Sequence, residues 1–431
     1  MRCLPSLDDA RARYVVFPAT YAYQGLVAGF SLTALANHLA GRGVPVSEVG
    51  LHFALAGLPW TLQPLLWGPV VDRAGRARMG RRRFWSVTAL LGCHLALAGL
   101  FLVPGVEALG LIGLVFLGHS LFASLLDTAC DRLIMDHVPE AELGRMSACT
   151  RAGFIGGTSL SAALFAWMLP AHGLAASAGL LLGLGSALTG PVLLVREAPG
   201  DALLSLARRS GEAARALPFR RFLRRLAIGL RRPRALRLLA LCFGIDAALA
   251  LFELRFGVDL VQRQGWDAAG LSRLQAGLAL ASGTLGALAV GLWSDRAGPL
   301  AALRLLLLAS AAAFALASGL IAAGLGGPGG PVILGLTSVL PGLLIVALVP
   351  ALMRSSRGRA GAATEFEVFM AAMNLGSVAG GAASGPLAPY LPLAPLAGLV
   401  FLASAALVRR PHLVFARPPA GRNGARAPVQ G

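Results

Sequence analysis

Apolar runs long enough to cross a bilayer recur along the whole chain, separated by short connections rich in arginine. They begin near Tyr14, Ser47, Trp85, Ala108, Met146 and Gly173. After a break from Arg196 to Arg237 they resume near Leu238, Leu271, Ala301, Pro331, Ala362 and Leu391. A helix needs about 20 apolar residues to span a hydrocarbon core roughly 30 Å thick. Six spans, a central segment and six more spans therefore account for the 431 residues. The runs lack the alternation of barrel strands, so the spans are helices. Composition agrees: 56% of residues are hydrophobic and 13% charged, where soluble domains carry roughly a quarter charged. The expected fold class is an all-α membrane protein with twelve transmembrane helices. Residues 1–195 form one bundle, 196–237 an Arg-rich central loop, 238–410 a second bundle, and 411–431 a basic tail expected to be disordered.

The formal net charge is +18, and all 38 basic residues are arginine. On a soluble chain that charge would point to nucleic acid. Here the arginines sit between apolar runs, which reads as membrane orientation and excludes a nucleic-acid partner. The connection between spans 2 and 3 holds Arg73, Arg76, Arg78, Arg81, Arg82 and Arg83. The central segment holds twelve more, the connection between spans 10 and 11 has Arg354, Arg357 and Arg359, and the tail opens with Arg409 and Arg410. The alternate side has only Arg42, Arg255, Arg263 and Arg273. The positive-inside rule places both termini and the central loop in the cytoplasm, with the chain in a bacterial inner membrane. Within the central loop, Phe219 to Leu226 reads as a basic amphipathic helix on the inner leaflet, in contact with membrane lipid.

One loop occurs twice. After span 2 the chain reads Gly68-Pro-Val-Val-Asp72-Arg73-Ala74-Gly75, and after span 8 it reads Gly291-Leu-Trp-Ser-Asp295-Arg296-Ala297-Gly298. Both sit at the same place within their half, the mark of a duplicated bundle. Glycine allows close helix approach, and the Asp-Arg pair can bridge to neighbouring helix ends and hold an inner gate shut. Asp72, Arg73, Asp295, Arg296 and Glu365 are the gate candidates.

This loop resembles the signature of the major facilitator superfamily (MFS), and the resemblance runs from about Tyr14 to Arg410. It implies two pseudo-symmetric six-helix bundles, a central cavity and alternating access. A narrower resemblance rests on Tyr23-Gln24-Gly25, Gly29-Phe30, Leu58-Pro59-Trp60, Trp67, Pro69, Asp72-Arg73, Gly80 to Arg83, Trp85, Asp127-x-x-x-Asp131 and Thr364-Glu365-Phe366. Together these are similar to the AmpG-like branch of muropeptide permeases, acetyl-CoA transporter relatives and siderophore permeases. Gln63 stands where that branch often has lysine, and Gly153-Phe154-Ile155-Gly156 where arginine is common.

Charged groups inside spans are costly and are functional candidates by default. Asp127 and Asp131 share one face of span 4. They read either as a proton-carrying pair or as gate partners for Arg73, Arg76 or Arg151. Asp246 and Glu253 lie near one face of span 7 and complete the proton-coupling candidates. Glu365 and Glu367 open span 11 on different faces. Gln24 and Asn374 are the substrate-binding candidates, each also able to bond a neighbouring helix. His52, His94 and His119 read as packed or interfacial. Gly25/Gly29, Gly153/Gly157 and Gly376/Gly380 read as close helix contacts.

The five cysteines show no CxxC spacing and the seven histidines no HExxH, so no disulfide scaffold, metal site or cofactor is expected. No Gly-x-x-x-x-Gly-Lys loop and no catalytic constellation is present, which excludes an ATPase domain and an enzyme. A monomeric, proton-driven secondary transporter of a polar small molecule, muropeptide-like or siderophore-like, is the leading expectation. The alternative is a non-transporting assembly or sensing protein on the same fold.

Overall fold

The computed structural model describes residues 4–42, 57–73, 77–207, 218–359, 361–387 and 392–415. Among them the chain is helical, with twelve crossing segments. Span 1 comprises Ala10–Ala28, a π-helical stretch Gly29–Leu35 and Ala36–Gly41. Span 2 comprises residues 57–66 and Gly68–Arg73; its expected start near Ser47 lies outside the described residues, as do His52, Ala74 to Arg76 and the tail from 416. Span 3 is Arg83–Ala98 and span 4 is Leu109–His137.

Leu143–Leu194 forms 52 residues of helix, about 78 Å at 1.5 Å per residue, too long for one crossing. The backbone leaves helical geometry at Gly173, where φ is 75° and ψ is −177°. An L side chain rarely adopts that φ, so glycine makes the turn dividing span 5 (143–172) from span 6 (174–194). In the second half, span 7 is Pro233–Gln262 and span 8 runs from Ala268–Ala281 through a π-helical stretch to Ala287–Ala297. Spans 9 to 12 are Pro299–Ala322, Gly330–Ser356, Ala362–Leu387 and Leu393–Val408. The amphipathic surface helix is Phe219–Leu230.

Hydrophobicity runs outward as well as inward. Leu91, Leu95, Leu102, Leu160, Leu285 and Val378 are each more than 60% exposed, which is the surface a lipid-facing bundle presents.

The glycine pairs hold the inner helices of each half together. A Cβ on Gly25 would meet the carbonyl oxygen of Phe154, and one on Gly157 would meet that of Ala22, so spans 1 and 5 pack backbone to backbone. The second half repeats this: Gly376 and Gly380 of span 11 face the carbonyls of Phe243 and Ala247 on span 7. Without a hydrophobic driving force between helices in lipid, such close approach supplies the van der Waals contact that holds them.

Candidate functional site

Asp72 and Asp295 of the repeated loops lie at the Arg-rich end and meet the opposite half. Asp72, at the end of span 2, accepts from the backbone N–H groups of Ala363 (3.1 Å) and Thr364 (2.9 Å) and from the Thr364 hydroxyl (2.8 Å). Asp295, at the end of span 8, accepts from the N–H groups of Gly144 (2.9 Å) and Arg145 (3.2 Å) and from Arg145 Nε (2.6 Å). Each carboxylate thus sits on the first turn of a helix in the other bundle, span 11 or span 5. Its charge meets unpaired N–H donors and the positive end of the helix dipole there. The glycine four residues earlier makes this approach possible. A Cβ on Gly68 would come within 2.7 Å of Thr364 Cα, and one on Gly291 within 2.7 Å of the Gly144 carbonyl.

Further contacts close this end. Arg354 and Arg357, at the end of span 10, lie 3.6 and 3.9 Å from the Glu140 carboxylate between spans 4 and 5. Arg357 Nε also donates to the Met135 carbonyl at 2.6 Å. Arg132 Nη1 is 3.8 Å from Asp72. Of the remaining gate candidates, Arg73 lies over the rings of Phe219 (5.1 Å) and Phe222 (5.8 Å) of the surface helix. Glu365 pairs with Arg359, and Arg296 is exposed.

Immediately inside this closed end, one turn along span 11 from Thr364, three carboxylates converge. Oxygens of Asp127, Asp131 and Glu367 all lie within 4.8 Å of one another. Asp127 and Asp131 come from span 4 and Glu367 from span 11, so the group straddles the two halves. Tyr21 O–H donates to Asp131 Oδ1 at 2.6 Å. Gln24 Nε2 donates to Asp127 Oδ1 at 3.3 Å, and Gln63 Nε2 to Asp127 Oδ2 at 3.0 Å and to Thr128 Oγ1 at 3.1 Å. Thr128 and Gln63 also face Glu367, whose Oε1 is buried without a hydrogen-bond partner. Cys130 is the other titratable neighbour besides Tyr21. Among the described residues no arginine pairs with these three acids. Three carboxylates so close cannot all be ionised without a counter-charge: each ionised pair costs about 3.5 kcal/mol at an effective dielectric of 20. The group can hold protons, and its oxygens are close enough to hold a cation.

Deeper in the seam, Arg151 of span 5 and Asp246 and Glu253 of span 7 line a cavity of about 300 Å³ together with Ser338 and Ser377. The possible partnership of Arg151 with the span 4 acids is not what the structure shows; Arg151 faces Asp246. Ala250, Glu253 and Ser377 also line a second cavity of about 670 Å³, which follows span 7 away from the Arg-rich end.

The structure thus brings Gln24 to the span 4 acids, while Asn374 is exposed on span 11 and lines neither cavity. His94 stacks on Tyr23, and His119 lies 3.1 Å from the Tyr23 hydroxyl. Sequence reasoning missed Tyr21, and it named Glu367 only as an acid opening span 11 and Arg151 only as one alternative partner for the span 4 acids. For both, the signal was a charge within or at the start of a span.

A family model described as Major Facilitator Superfamily matches residues 15–381. No curated protein matches the sequence. Among solved structures, the chain is similar to the Escherichia coli fucose:proton symporter, at 15% identity over 93% of this chain and 97% of that one, with a TM-score of 0.68. It is similar to a bacterial homologue of the iron transporter ferroportin in an outward-facing state, at 15% identity over 92% and 96%, with a TM-score of 0.62. It is also similar to the human organic anion transporter MFSD10, at 18% identity over 92% and 98%, with a TM-score of 0.59.

Proposed function

The chain belongs to the major facilitator superfamily of secondary transporters, and from that premise we propose that it is a monomeric, proton-coupled carrier of a polar small molecule. The observation that supports coupling is the Asp127–Asp131–Glu367 group, shared between halves and, among the described residues, paired with no arginine. When protonated the three acids can lie together and the Arg-rich end stays shut. When they ionise, repulsion across the seam favours opening at that end and delivers the protons there. Gln63 fits this reading. Lysine at that position, as in much of the AmpG-like branch, would supply a counter-charge; the amide supplies only hydrogen bonds. A membrane scaffold that moves nothing has no need of ionisable groups at such a cost.

The reading extends to orientation and gate. The Arg-rich end is the cytoplasmic one, supported by the arginine count on each side, and the membrane is a bacterial inner membrane. Asp72 and Asp295, with Arg73, Arg296 and Glu365 around them, form the inner gate. The AmpG-like motifs support a polar solute of the muropeptide or siderophore kind.

Purified protein in proteoliposomes tests the coupling. An imposed inward proton gradient should drive accumulation of the solute above its external concentration, and a protonophore should abolish it. Accumulation indifferent to the gradient would overturn the coupling. Orientation is tested in a Cys-free background: an impermeant maleimide should label Gly105→Cys on intact cells and leave Gly211→Cys unlabelled. The reverse pattern would invert the topology.

A further inference from the structure

The cavity deeper in the seam carries opposite charges on opposite halves. Arg151 comes from the first bundle, and Asp246 and Glu253 from the second. Yet no ion pair within 4.0 Å joins Arg151 to either acid, and Arg151 Nε is buried with no hydrogen-bond partner. Burying a guanidinium in the interior of a membrane bundle is costly unless an anion meets it. Asp246 and Glu253 lie seven residues apart, about 10 Å along the helix, so the acidic side of the cavity is long while the basic side is one residue. Ser338 and Ser377 add neutral polar groups, and Leu249, Ile345 and Met373 supply apolar wall.

We propose that the solute is a small zwitterion whose acidic group is held by Arg151 and whose ammonium is held by Glu253 and Asp246. The inference rests on the transport reading above and replaces its muropeptide or siderophore kind of solute with a more compact one. Guanidinium presents a planar fork suited to carboxylate or phosphate oxygens. An ammonium is a compact donor that a carboxylate accepts. A singly anionic solute would satisfy Arg151 but face Glu253 with like charge. A singly cationic solute would leave Arg151 unmet. The volume, at the low end of the roughly 300–1,000 Å³ of small-molecule sites, fits a compact solute, and the adjoining cavity of about 670 Å³ gives it a route. A zwitterion also bridges the halves, because each of its charges belongs to a different bundle; binding therefore draws the two sides of the cavity together.

The experiment uses wild-type protein in nanodiscs and measures binding of three matched sets by calorimetry. The sets are alanine, alanyl-alanine and glucosamine 6-phosphate, each with its N-acetyl form and its counterpart lacking the acidic charge. At least one zwitterion should bind about tenfold or more tightly than both of its singly charged relatives, the loss expected when about 1.4 kcal/mol of pairing is removed. Arg151→Gln should erase the advantage conferred by the acidic group, and Glu253→Gln that conferred by the ammonium. If Arg151→Gln fails to fold, Glu253→Gln and the matched probes on wild type still decide. The proposal is overturned if no set binds, or if a singly charged form equals its zwitterion in every set. Cysteine accessibility at the Arg-rich end, followed as pH is changed, separates the two readings. Proton-dependent exchange that persists without zwitterion preference rejects the solute class alone. Exchange that never occurs rejects the carrier.

Discussion

Glu367→Gln is expected to abolish accumulation driven by a pH gradient while counterflow of solute continues. Gln keeps the size of a protonated glutamate and cannot release a proton. The acid group then loses the negative charge that span 11 contributes, and with it the repulsion across the seam of about 3.5 kcal/mol per ionised pair. Counterflow needs no net proton movement, so it should survive. Asp131→Asn should behave alike, since Tyr21 can still donate to the remaining amide oxygen. Glu107→Gln is the control: Glu107 is exposed, pairs with Arg42 at 2.7 Å and stands outside both the acid group and the gate, so it should keep full accumulation. Uptake into proteoliposomes at matched protein density is the measurement. Wild-type accumulation by both Glu367→Gln and Asp131→Asn would mean that protons travel elsewhere.

The second large effect concerns the state of the seam. Asp72→Asn and Asp295→Asn each remove a carboxylate from a helix N-terminus and should cost the closed end about 1–2 kcal/mol. That corresponds to roughly a five- to thirtyfold shift toward opening. Asp72→Asn should be the stronger, because the Asp72 carboxylate is fully buried, whereas the arginine that pairs with Asp295, Arg145, is 42% exposed and its ion pair is screened by solvent. The two sites share no partner, so the double variant should show nearly the sum. Spin labels at the exposed positions Ala141 and Arg296 flank the seam between spans 5 and 8. Their distance distribution should gain a longer component in each variant and be dominated by it in the double. An unchanged distribution in the double variant would remove these aspartates from the gate.

Much of the architecture was legible because it is written in one dimension. Hydropathy gave the spans, arginine the expected faces, and the repeated Gly-x-x-x-Asp-Arg-Ala-Gly the duplication. The apolar run expected to begin near Gly173 does start at the turn inside a continuous run of helix. The site was less legible. Glu367 and Asp131 are far apart in sequence, and nothing in either segment says that they meet. Glu365 and Glu367 were indistinguishable as acids at a helix start until the rotation of span 11 sent one to Arg359 and the other to Asp127. Arg151 read only as one alternative partner, in the gate, for the acids of span 4. Its actual surroundings are set by span 7, across the seam. Asn374 read as a substrate-binding candidate because it is an amide in an apolar segment, yet lipid-facing and cavity-facing positions of a span have the same hydropathy.

The backbone-to-backbone packing of span 1 on span 5, and of span 7 on span 11, also bears on how such a chain can diverge. Where main chain meets main chain, almost any side chain other than glycine is excluded, so those positions are frozen. Where the halves face each other, contact is made by side chains around open space, and a substitution there alters fit without touching what holds either bundle together. Specificity and foldability are thus lodged in different residues. A lineage can exchange Arg151, Asp246 or Glu253 for another set of charges and acquire a different cargo, while the helix pairs that make each half a rigid body are inherited intact.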